Sequence, residues 1–184
     1  MEKAKILIVE DEAIIGMEIE NQLQSLGYEV TSMVDTGEKA IQKAEADKPD
    51  LMLMDIRIKG EMDGIDAAEI IRNRFDIPVI FSTAYLDQER IERAKITMPF
   101  GYVLKPIQER DLKVTLEMAL YVAKVDAERK QMEGLLRIQR DLGISLGKSM
   151  DLQEMLQLCM KAALEASNMD CGGIYIIDPA TKSF

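Results

Sequence analysis

The 184-residue chain suits one ordinary domain plus an appendage; 47% hydrophobic residues can fill a core and 30% charged residues can solvate a surface. A net charge of −10 argues against an electrostatic nucleic-acid or anionic-membrane binder, whose footprints are basic. No histidine occurs, which removes histidine bases, nucleophiles and metal ligands, and the two cysteines read as free thiols in a reducing compartment. With no signal peptide and no apolar run of about 18 residues, the chain is expected in the cytoplasm. The acid excess concentrates in residues 1–120, so a cation site there is expected.

Lys5 to Val9 is a β-rich apolar run that ends in Glu10-Asp11-Glu12. Ala13 to Leu26 repeats apolar residues at helical spacing (Ile14, Ile15, Ile19, Leu23, Leu26), and Gly27 stops it. Tyr28 to Met33 reads as a second strand and Gly37 to Ala46 as a short helix. Leu51-Met52-Leu53-Met54-Asp55 is an apolar run into a carboxylate, the mark of a strand buried on both faces. Ile65 to Arg74 is a third helix, Pro78 to Thr83 a fourth strand, Asp87 to Ile96 a fourth helix, and Phe100 to Leu104 a fifth strand before Lys105-Pro106. Strand and helix alternate with short connections, which predicts a doubly wound α/β domain with a parallel sheet over residues 1–120.

Beyond Ile107 the helical pattern continues. Tyr121, Val125, Glu128, Met132, Leu135, Gln139, Leu142 and Leu146 follow a 4-3 spacing, which predicts a helical linker over 121–148 that pairs with a second copy as a coiled coil. The alternative is an amphipathic helix lying on its own domain, and Gly134, Gly143 and Gly147 each weaken a continuous helix by roughly 1 kcal/mol relative to Ala. A helix from Leu152 to Ser167 and a strand at Gly172 to Asp178 follow; one helix and one strand make no core, so 149–184 is expected to belong to a larger, partly α+β domain.

In a parallel sheet the ends of strands one, three, four and five share an edge, so Glu10, Asp11, Asp55, Thr83 and Lys105 are expected to converge there. Converging carboxylates repel unless a cation lies among them, and hard oxygen donors suit Mg²⁺ (or Mn²⁺). With a lysine for a phosphoryl oxygen and a hydroxyl donor, the set suits phosphoryl transfer onto Asp55. Taken singly each residue has an ordinary alternative: Asp55 as a turn former, and Glu10-Asp11-Glu12 as a favourable helix start.

Residues 5–120 resemble the receiver domain of two-component response regulators. The matching pieces are Ile8-Val9-Glu10-Asp11, Leu53-Met54-Asp55, Met62-Asp63-Gly64, Ser82-Thr83-Ala84 and Lys105-Pro106. The resemblance implies a flavodoxin-like five-stranded sheet in order 2-1-3-4-5. It implies Asp55 as phosphoacceptor, and Asp11, Glu10, Asp55 and the backbone carbonyl of Arg57 around Mg²⁺. Lys105 would contact the phosphoryl group, with Thr83 and Tyr102 as the switch pair. The face formed by the fourth helix, fifth strand and fifth helix would report the change. A histidine kinase or phosphotransfer protein would be the phosphodonor, and any activity of the chain itself would be self-catalysed transfer to, and hydrolysis from, Asp55. Two departures stand out: the usual proline after the acceptor is absent, and Ile58-Lys59-Gly60-Glu61 is one residue longer than the common form.

Residues 149–184 resemble the opening of a GAF sensory domain, through Asp151-Leu152-Gln153-Glu154-Met155-Leu156 and Gly173-Ile174-Tyr175-Ile176-Ile177-Asp178. Two other readings compete: a dimerisation scaffold whose receiver is not phosphorylated, and an aspartate-nucleophile phosphatase. The latter needs a second Asp two residues after the nucleophile, where this chain has Arg57.

Overall fold

A computed structural model describes residues 3–84, 93–94, 97–146, 152–167, 169, 171 and 173. The chain divides into two compact units, Met1–Lys124 and Val125–Phe184. In the first, β1 (Lys5–Val9), α1 (Ala13–Ser25), β2 (Glu29–Val34), α2 (Gly37–Asp47), β3 (Leu51–Asp55), α3 (Gly64–Phe75) and β4 (Val79–Thr83) alternate as expected, and β5 (Gly101–Leu104) follows. Every pairing is parallel and the strand order is β2-β1-β3-β4-β5. This is the doubly wound, flavodoxin-like sheet, and the crossover between β1 and β3 places β3 at its centre.

All five residues of β3 are buried, as are all five of β4. Burying each large apolar side chain contributes roughly 1.5–3 kcal/mol, which is why β3 carries no polar residue before Asp55 and β4 none before Ser82. Alternation along the strands sorts the core into two layers. Leu7, Val9, Met52, Met54 and Phe81 face α2 and α3, whereas Ile6, Ile8, Leu51, Leu53, Ile80 and Val103 face α1 and a long C-terminal helix. Leu112, Leu116 and Ala119 of that helix, α4 (Glu109–Leu146), are buried in the second layer. Ile14 departs from the apolar repeat: it is 84% exposed, because α1 turns Gly16, Ile19 and Leu23 inward instead.

Of the helix expected at 87–96, only residues 93–94 are described, and they are helical. Gly134 and Gly143 do not interrupt α4, a single helix of 38 residues. In the second unit, α5 (Leu152–Ser167) follows, and Ile138 and Leu142 of α4 share a groove of about 420 Å³ with Leu158 and Ala162 of α5. The strand expected at 172–178 lies outside the described residues, apart from Gly173.

Candidate phosphoryl-transfer site

The alternation that sorts the core also sorts the sheet edge. Carried past Ile8, Leu53 and Val103, the α1-facing parity reaches Glu10, Asp55 and Lys105; carried past Phe81, the other reaches Thr83. Lys105 Nζ lies 2.6 Å from Glu10 Oε2 and 2.5 Å from Asp55 Oδ2, across 95 and 50 residues of sequence. Carboxylate oxygens of Glu10, Asp11 and Asp55 all lie within 4.8 Å of one another. Glu10 and Asp55 are buried, and Asp11 is partly exposed at the rim.

The ordinary roles account for only part of what these acids do. Glu12 stands at the N-cap of α1 but makes no side-chain capping bond, and its amide donates to Glu10 Oε1 at 3.3 Å. Asp63 caps α3, accepting from the amides of Ile65 and Asp66, and Arg93 pairs with it at 2.9 Å. Asp55 caps no helix: Oδ1 accepts the Arg57 amide at 2.9 Å and Oδ2 receives Lys105. The turn through Arg57 thus folds back over the carboxylate.

Local backbone fixes this geometry. The Lys105 amide donates to the Thr83 carbonyl, continuing the β4–β5 ladder by one residue. The Gln22 side chain donates to the Ile107 carbonyl at 3.2 Å and ties the exit of β5 to α1; the Lys105–Pro106 peptide in this loop is cis. A Cβ on Gly64 would sit 1.9 Å from the Asp55 carbonyl oxygen, so only glycine lets α3 start this close to the end of β3. Thr83 is buried at the end of β4, and Tyr102 on β5 pairs in register with Phe81, their rings 5.9 Å apart.

Burial pushes the Glu10 carboxyl above its ordinary range; the Asp55 charge adds to this, and the hydrogen bond from Lys105 opposes it. Burial disfavours the Lys105 ammonium, but hydrogen bonds to Asp55 and Glu10 outweigh it and hold the group above the ordinary lysine value. Lys105 is therefore a fixed cation at neutral pH, set between two acids. Buried carboxylates crowded this closely gain from a further cation, and an all-oxygen donor set suits a hard divalent ion.

The profile of the response regulator receiver domain matches residues 6–117. The chain belongs to the response regulator receiver family. It is 36% identical over 116 residues to the transcriptional regulatory protein PdtaR of Mycobacterium tuberculosis, covering 63% of this chain and 56% of that protein. It is 34% identical over 118 residues to the phyllosphere-induced regulator PhyR of Methylorubrum extorquens, covering 64% of this chain and 43% of that protein. This receiver-containing chain thus spans about half the length of the relatives it matches. Among solved structures, the signal receiver domain of a modulated diguanylate cyclase from Desulfovibrio desulfuricans G20 matches with a TM-score of 0.66 and 37% identity, over 68% of this chain and 99% of that one. The N-terminal domain of a response regulator/sensory box/GGDEF protein from Carboxydothermus hydrogenoformans matches with a TM-score of 0.62 and 37% identity, over 67% and 98%.

Two positions that this receiver brings to the edge escaped the sequence reading. Lys59 Nζ lies 3.1 Å from the Asp11 carbonyl oxygen, and Gln22 positions the Lys105 loop. Neither carries a sequence signal, since each is an ordinary polar residue on a loop or a half-buried helix position.

Proposed function

We propose that Asp55 is the phosphoacceptor of this receiver, and that Mg²⁺ or Mn²⁺ is held by Glu10, Asp11, Asp55 and the backbone carbonyl of Arg57. The observation that carries this reading is the Lys105 ammonium bonded to both Glu10 and Asp55 at the edge where Asp11 also arrives. A phosphohistidine of a kinase or phosphotransfer protein, acting in trans or lying outside these 184 residues, donates, since no histidine is among them. One Asp55 carboxylate oxygen attacks phosphorus, the bond from phosphorus to the donor nitrogen breaks, and that nitrogen leaves with the electron pair. The divalent ion supplies charge neutralisation on the transferring group. Lys105 turns from Asp55 to a phosphoryl oxygen, and the buried position of Asp55 limits water at the acyl phosphate.

Thr83 then hydrogen-bonds the phosphoryl group, and Tyr102 repacks beside Phe81, shifting a two-state population on the face that includes β5 and α4. The long helix carries the change toward a GAF-like sensory module, of which α5 would be the opening helix. Pairing of α4 with a second copy is supported by the exposure of the seam residues Tyr121, Val125, Met132 and Leu135.

Mass spectrometry after incubation with acetyl phosphate and Mg²⁺ tests the central claim. The wild type gains the mass of one phosphoryl group and Asp55→Asn does not. An unlabelled wild type leaves the dimerisation scaffold as the better reading.

A further inference from the structure

The acids at the sheet edge are met by two lysines rather than one. Lys105 is bonded to Glu10 and Asp55. Lys59, on the loop after the acceptor, points its ammonium at the third acid: Nζ is 3.1 Å from the Asp11 carbonyl oxygen and 3.8 Å from Asp11 Oδ2. Its backbone is anchored, because Lys59 forms a parallel bridge with Thr36, the residue that caps α2. The following Gly60 turns at φ +115° with the Glu38 carboxylate close behind it. The longer loop thus fixes the root of the side chain while leaving the stem in solvent, 67% exposed. A lysine of α2, Lys39, is engaged with Asp35 at 2.7 Å.

We propose that Lys59 is a tethered counter-ion of Asp11 that a divalent cation must displace, so that it sets the metal affinity of this receiver. The inference rests on the assignment of Glu10, Asp11 and Asp55 as the cation site. An ammonium within about 4 Å of a ligand carboxylate both shields that carboxylate and repels an incoming dication. The exposed stem lets the ammonium swing away at small cost, so the competition lowers affinity without closing the site. The effect weakens with salt, since one partner of the pair is exposed.

Isothermal titration of Mg²⁺ alone into the full chain, with no phosphodonor, tests this. Lys59→Met is expected to bind Mg²⁺ roughly three- to tenfold more tightly than wild type, given one unit charge removed at this range. Lys59→Arg, which keeps the charge, stays at the wild-type value, and Lys39→Met changes it by less than about twofold because Asp35 already screens that charge. Unchanged or weaker binding by Lys59→Met overturns the proposal, as does equal tightening by Lys39→Met. Asp11→Asn separates this from failure of the underlying site. Loss of binding in Asp11→Asn upholds the metal assignment, and wild-type binding overturns that assignment and the inference with it.

Discussion

At the scale of single residues, Glu10 is the most buried acid among the described residues. It is 3% exposed, and burial raises its carboxyl above the ordinary value of 4.5 in spite of the Lys105 hydrogen bond. A folded-state value above the unfolded one means that the native protein binds the proton more tightly. The contribution of Glu10 to stability is then fully present below the ordinary value and is lost as pH rises through the raised one. Thermal unfolding of the metal-free protein is therefore expected to show Glu10→Gln gaining on wild type between pH 4.5 and neutrality. A gap between the two melting temperatures that does not widen over that window would contradict the assignment of burial as the dominant cause. Lys105 behaves in the opposite pH range: its raised value keeps the ammonium charged at neutrality, and its stabilising pairing is lost only as pH rises above the ordinary lysine value.

At the scale of elements, the geometry of the site depends on how closely α3 approaches the end of β3. The Gly64 amide donates to the Ile56 carbonyl at 3.1 Å, and the Asp55 carbonyl stands where a Cβ would be. Gly64→Ala must push the first turn of α3 outward, with its Asp63 cap and the Arg93 pairs to Asp63 and Asp66. Overpacking of this kind costs about 3 kcal/mol. The expected result in urea is a lower unfolding midpoint at an unchanged m-value, measured beside Gly134→Ala as a control. Gly134 has nothing within 4 Å of its Cβ position and sits inside α4, so alanine there is neutral or stabilising by about 1 kcal/mol.

At the scale of the whole molecule, a 38-residue helix belongs to both compact units. Its first turns bury Leu112, Leu116 and Ala119, while Tyr121, Val125, Met132 and Leu135 are exposed at heptad spacing. Static light scattering is expected to report a dimer for the full chain and a monomer for a chain ending at Val125. A full chain that scatters as a monomer would favour the helix as an unpaired spacer.

Much of the fold was legible in the sequence because each strand of the sheet interior is an unbroken apolar run with a turn on either side. Element order, type and parallel pairing follow from that pattern and from the handedness of βα crossovers. Glu10, Asp55, Thr83 and Lys105 were legible as chemistry because each stands where an apolar run ends. What such runs hide is which face a residue takes. In Leu51 to Met54 both parities are apolar, so nothing in the string separates the Asp55 side from the Thr83 and Tyr102 side. Ile14 misled the apolar count on α1 for a related reason: spacing alone does not say which stripe faces the sheet.

The sequence by itself determined that an acidic set, a hydroxyl and a lysine come to one edge of a parallel sheet, because strand ends in such a sheet share an edge whatever the packing details. Only the tertiary structure decided which charges meet. Lys105 joins Glu10 and Asp55, while Lys59, a loop residue with no periodic neighbours, reaches Asp11 across 48 positions. Side-chain pairing over such separations depends on loop path and backbone register, and neither is written in the order of the residues.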